Sequence, residues 1–113
     1  MRTIRELKED MRYVRMALEK IEEYGFLDKE FTASELGEKW YVAHNNSQLM
    51  MMLVRRGIAE IVGTVDRTYK LDIWHNNKTV IAQVPYEANV YKIVRDADWY
   101  RNVLLKAVVD AIA

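Results

Sequence analysis

A mixed α+β fold is predicted by three features of this 113-residue chain. Its opening stretch repeats apolar residues every three or four positions, its centre carries two short helical segments with their own start and stop signals, and strand-like alternation follows. With half of its residues hydrophobic, residues 1–113 make one domain with a core of its own.

The first helix is expected over residues 1–25. Ile4, Leu7, Met11, Val14, Leu18 and Ile21 alternate spacings of three and four among charged residues, and Gly25 supplies the stop. Two uses of this face are open: packing on the rest of the domain, or a seam with another subunit that persists for nearly three heptads. A core helix is favoured, with Tyr13, Met16, Ala17 and Tyr24 widening the face enough to serve both.

Thr32-Ala33-Ser34-Glu35 begins the second helix. The Thr32 hydroxyl can accept from the Glu35 N–H while the Glu35 carboxylate returns to the N–H of Thr32. Leu36 and Trp40 share a face beside Gly37, which is small enough for a crossing helix. A turn falls in Trp40-Tyr41-Val42-Ala43, and a third helix runs from about Asn45 to Arg56 before Gly57. Ile58 to Val62 and Thr68 to Trp74 then alternate as strands, separated by Gly63-Thr64-Val65-Asp66-Arg67, which predicts a hairpin. Asn76-Asn77 introduces Thr79 to Val84 as a third strand before Pro85. Tyr86 to Val94 is compatible with a helix or an extended segment. Asp96 or Asp98 caps a final helix over residues 96–113, whose apolar residues include Trp99, Val103, Leu104, Ala107, Val108, Ala111 and Ile112. That much apolar surface must fold back on the first helix or meet a second subunit.

The run Phe31-Thr32-Ala33-Ser34-Glu35-Leu36-Gly37-Glu38-Lys39, the ending Leu53-Val54-Arg55-Arg56-Gly57-Ile58 and the strand Tyr69-Lys70-Leu71 resemble the winged helix-turn-helix domains of prokaryotic and viral transcription regulators. The resemblance spans well under half of the chain. It implies a helix-turn-helix and wing over residues 31–84, with a two- or three-stranded antiparallel wing. It also implies that the second helix of the pair enters the DNA major groove while the wing follows the backbone. Two positions depart from the family: Tyr41 replaces a common turn glycine, and Asn46 replaces an early apolar anchor.

Seventeen basic and seventeen acidic residues cancel, which counts against a coat protein relying on bulk positive charge. Between Glu38 and Glu60, however, there is no acidic residue, while Lys39, Arg55 and Arg56 are present and Arg67 and Lys70 follow. Without cysteine there is no disulfide, thiolate nucleophile or cysteine zinc site. No signal-like segment or membrane-length apolar run stands out, so a soluble, cytoplasmic protein is expected. Chemistry has little to use. His44 and His75 lack metal-ligand spacing, Ser34 and Ser47 fit helix starts, and no glycine-rich phosphate loop is present. Neither enzymatic activity nor a cofactor or metal is expected.

The resemblance implies sequence-specific double-stranded DNA binding by a transcription regulator, and a homodimer is the expected form. Asn45, Ser47, Gln48, Met51, Met52 and Arg55 would lie on the outer side of the third helix, with Leu49, Met50, Leu53 and Val54 inward. Asn and Gln can read adenine, Arg guanine, and methionine the thymine methyl. His44, Arg56, Arg67 and Lys70 complete the DNA-binding set, the last two as wing contacts to phosphate. Ile4, Leu7, Met11, Val14, Leu18, Trp99, Val103, Leu104 and Val108 are the expected dimer interface. The alternative is an interaction module without DNA binding that holds a protein partner through its methionine-rich helix or its terminal helices.

Overall fold

A computed structural model describes residues 2–40 and 46–113 of the chain. The fold is α+β, with four helices and a three-stranded antiparallel sheet among the described residues. Helix α1 (Ile4–Glu23) starts where the Thr3 hydroxyl accepts from the Glu6 N–H at 3.2 Å. It ends at Gly25, φ +84°, where the Phe26 and Gly25 N–H groups return to the carbonyls of Ile21 and Glu22. Val14, Ala17, Leu18 and Ile21 are buried within the chain itself. The expected seam residues Val14 and Leu18 thus serve this chain's own core, because the rest of the domain covers their part of the stripe.

Strand β1 (Phe31–Thr32) leads directly into α2 (Ala33–Lys39). Thr32 caps α2 as expected, accepting from the Glu35 N–H at 3.2 Å. The Glu35 carboxylate does something different from the expected return to the backbone: it accepts from the Thr32 hydroxyl and from Arg67. Helix α3 (Asn46–Arg55) buries Leu49, Met50 and Leu53. It stops at Gly57, φ +76°, in the same 6→1 and 5→2 pattern that ends α1, here from Ile58 to Leu53 and from Gly57 to Val54. Asn46 bonds rather than packs: its amide donates to the Trp40 carbonyl at 3.1 Å, tying the start of α3 to the end of α2. The turn residues Tyr41 to Ala43 lie outside the described residues.

Strands β2 (Ala59–His75) and β3 (Lys78–Ile93) pair along their whole length, and β1 joins the base of β3 at Val90 and Tyr91. This corrects the expected wing. Gly63 to Arg67 is not a turn but the middle of one continuous strand, and Tyr86 to Ile93 is extended. The third strand of the sheet is the two-residue β1, not Thr79 to Val84 beside two shorter strands. The single turn of the ribbon is Asn76-Asn77, with φ +50° and +63°, as a two-residue hairpin with matching twist requires. Counted from that turn, Thr68 and Pro85 form a non-hydrogen-bonded pair. The Pro85 nitrogen therefore faces the open edge of β3, where no N–H is needed.

The ribbon is an arm. The molecule measures 68 × 31 × 22 Å with a radius of gyration of 18.1 Å, against about 13 Å for a compact chain of this length. Helix α4 (Ala97–Ile112) is capped by Asp96, whose carboxylate accepts from the Trp99 N–H at 2.7 Å. Asp98 instead pairs with Arg15 of α1. The core gathers Val14 and Ile21, Phe26 and Phe31, Leu36, Met50 and Leu53, Ile58 and Tyr91.

Candidate nucleic-acid interface

Leu49, Met50 and Leu53 anchor α3 from within, which fixes the side it turns outward. Ser47, Gln48 and Arg55 are exposed, and Met51 and Met52 are half-buried. Met50 is fully buried, so the three consecutive methionines divide between core and surface as helical geometry demands. Ser47, Gln48, Met51 and Arg55 line a shallow depression of about 420 Å³. Beside it runs a groove of about 560 Å³ floored by α2, α3 and β3, with Ser34, Gly37, Asn46, Met51, Glu87 and Asn89 on its walls. An exposed strip of amide, hydroxyl, thioether and guanidinium beside a groove can bond to base edges or to a polypeptide.

Other expected contacts are placed differently. His44 and Asn45 lie outside the described residues. Arg56 turns from the α3 strip toward α1 and holds Asp10 with two bonds, Nη2 to Oδ1 at 2.6 Å and Nε to Oδ2 at 3.0 Å. Tyr100 of α4 donates its hydroxyl to the same carboxylate, so α1, α4 and the residue just past α3 meet at one charge. Burial works to raise the Asp10 carboxyl, but the bonds from Arg56 and Tyr100 outweigh it and hold it below the usual carboxylate range. Arg56 is raised by its bond to Asp10. Tyr100 is raised by burial and by that same carboxylate. Arg56 is thus a structural cation, since contacting phosphate would require breaking this pair.

Arg67 is likewise engaged, with Nη2 2.8 Å from Oε1 of Glu35 at the start of α2, joining the arm's root to the helix pair. Lys70 is exposed. Residues 67 and 70 are an odd number of positions apart in a continuous strand, so they leave opposite faces of the ribbon and do not converge on one phosphate track. On the Lys70 face, Asp66 stands directly opposite Glu87. Two carboxylates at cross-strand distance repel each other and any nearby phosphate.

Of the expected interface residues, Ile4 and Val103 are exposed, while Leu7, Met11, Trp99, Leu104 and Val108 are half-buried. Sequence reasoning missed Asp10 and Tyr100 and the pairing of Glu35 with Arg67, because these partners lie far along the chain. It also missed the arm, for which the signal was the period of two from Val65 to Ile73, interrupted only at Arg67.

No helix among the described residues is long and apolar enough to cross a membrane. No cluster of three or more His, Asp or Glu among them could hold a metal ion. No family model, curated protein or solved structure matches the chain.

Proposed function

We propose that this protein is a winged helix-turn-helix regulator that binds double-stranded DNA sequence-specifically as a homodimer, with α3 in the major groove. The observation that carries the reading is the outward strip of α3. It offers Ser47, Gln48, Met51 and Arg55 on a helix without an acidic residue, held by its buried face against α2 and followed by a two-stranded ribbon. Gln48 and Arg55 suit adenine and guanine edges, and Met51 a thymine methyl. The order of one helix, a short strand, two helices and a ribbon supports the same reading.

A second reading has its own support. With Arg56 and Arg67 held in ion pairs and Asp66 facing Glu87, little cationic surface flanks α3. This favours an interaction module whose groove beside Met51 takes a protein segment. A mobility shift on random duplex DNA across a salt titration separates the two. Phosphate contacts impose a slope of about −0.9 in log affinity per contact, and enrichment of one sequence from the random pool is expected. Substituting alanine at Gln48 or Arg55 should relax preference at individual base pairs, by about 1–3 kcal/mol per good contact. No duplex binding at low salt would reject the DNA reading and leave the interaction module.

A further inference from the structure

The arm has two unlike faces. On one lie Val65, Tyr69, Leu71 and Ile73 of β2 with Val80, Ala82, Val84, Tyr86 and Ala88 of β3, and among them Arg67 near the root. The other carries Thr64, Asp66, Thr68, Lys70 and Asp72 with Thr79, Gln83, Glu87 and Asn89, interrupted by Trp74 and Ile81 near the tip. One residue makes this division possible. Val62 is an extra residue between the Ile61–Tyr91 and Gly63–Val90 pairs, and such a bulge turns every following side chain to the opposite face. By register, the buried Phe31, Ala59 and Tyr91 share the arm's polar face. At its root the apolar face meets the body through Thr32, opposite Val90, and through Arg67 on Glu35, but from Tyr69 outward Tyr69, Leu71, Ile73 and Val80 stay exposed and the core on the other face cannot cover them.

We propose that this apolar face is covered by the same face of a second copy of the chain, the two arms packing into a two-layered, four-stranded unit. Val65, Tyr69, Leu71, Ile73, Val80 and Tyr86 are each between 37% and 50% exposed. Together they present on the order of 500 Å² of apolar surface, at the upper end for a soluble monomer and over half of one partner's share in a standard interface. A two-stranded hairpin needs a third strand or a covering layer to be stable in water, and beyond its root this arm has neither among the described residues. Between Arg67 and the tip residues His75 and Lys78 the face carries no charge, so a two-fold copy meets no like charge there. Pairing at the β3 edge would leave the face open, and Pro85 interrupts that edge. A face-to-face copy buries it.

This inference rests on the homodimer reading but not on DNA binding, and its test needs no DNA. Sedimentation equilibrium of the full chain should give a dimer at micromolar concentration. Leu71→Glu and Leu71→Lys should each weaken it by roughly 30-fold or more, the loss of one buried anchor, with helical circular dichroism unchanged. Mixing these two variants should restore a dimer, which misfolded chains could not do. Thr68→Glu, on the polar face, should leave the dimer intact. A monomeric native chain, a dimer that survives both Leu71 substitutions, or variants that fail to re-pair when mixed would overturn the proposal. So would a dimer abolished by Val103→Glu on α4 but not by substitution at Leu71. If the arm dimer holds while duplex binding is absent, the DNA reading alone fails.

Discussion

Replacing Arg56 by alanine should cost this protein stability rather than merely a surface charge. The Arg56 side chain is 21% exposed and its partner Asp10 10%, so water screens the pair only partly. Its two bonds to Asp10, at 2.6 and 3.0 Å, are joined by a weaker one to the Met52 carbonyl. Hydrogen bonds to charged groups contribute about 1.5–3 kcal/mol each, but bonds sharing one carboxylate do not add. After truncation the carboxylate keeps the Tyr100 hydroxyl and some access to water, so the expected loss is about 2–3 kcal/mol, below the 3–5 typical of breaking a fully buried pair. Against a total stability of about 5–15 kcal/mol, that corresponds to a fall in Tm on the order of 10 °C. Urea and thermal unfolding followed by circular dichroism measure it. The neighbouring exposed Arg55→Ala should stay within about 0.5 kcal/mol of the native chain. A loss below about 0.5 kcal/mol for Arg56→Ala as well would refute the reasoning, because the cost of desolvating the pair would then cancel its attraction.

The same cluster sets a pH dependence. The folded-state pKa of Asp10 is depressed, so its contribution is fully present above its unfolded value of about 3.9 and is lost as pH falls through the lower folded one. The stability difference between the native chain and Asp10→Asn should therefore be flat near neutrality and narrow below about pH 4; a difference that widens on acidification would contradict it. Gly57→Ala should cost about 1–2 kcal/mol in urea unfolding, since φ is +76° and the new Cβ would lie 3.3 Å from the Trp99 ring. A neutral result would show that α3 can end another way. Asn77→Gly should stabilise the arm by about 0.5–1 kcal/mol, read as slower amide exchange along β2 and β3, because glycine relieves the left-handed strain at the second turn position. Unchanged exchange rates would argue against that turn. In duplex-binding titrations Lys70→Ala should lower the salt slope by about one unit while Arg67→Ala leaves it unchanged; a drop for Arg67 would mean that it leaves Glu35 to meet phosphate.

The sequence by itself determined what depends on neighbours a few residues apart. Thr32, Gly25, Gly57 and Asp96 mark helix ends because each acts through backbone groups within about one turn, and the helices begin or end beside them. The outward strip of α3 was legible for the same reason: a period of 3.6 divides Leu49, Met50 and Leu53 from Ser47, Gln48 and Arg55 without reference to any other segment. The α+β class followed from the two periodicities in the chain.

Tertiary structure alone decided which charges are available. Arg56 and Asp10 are separated by 46 positions, Tyr100 and Asp10 by 90, and Arg67 and Glu35 by 32. No local pattern pairs such residues, so Arg55 and Arg56 look alike in sequence although one faces solvent and the other joins helices. The arm was hidden by a local ambiguity. Gly63 and Asp66 are turn-forming residues by composition, yet cross-strand pairing with Asn89 to Tyr86 over Thr64 to Arg67 outweighs that preference and keeps the strand extended. Which face the arm leaves uncovered depends on a single bulged residue, Val62, and a one-residue offset becomes visible only when both strands are paired.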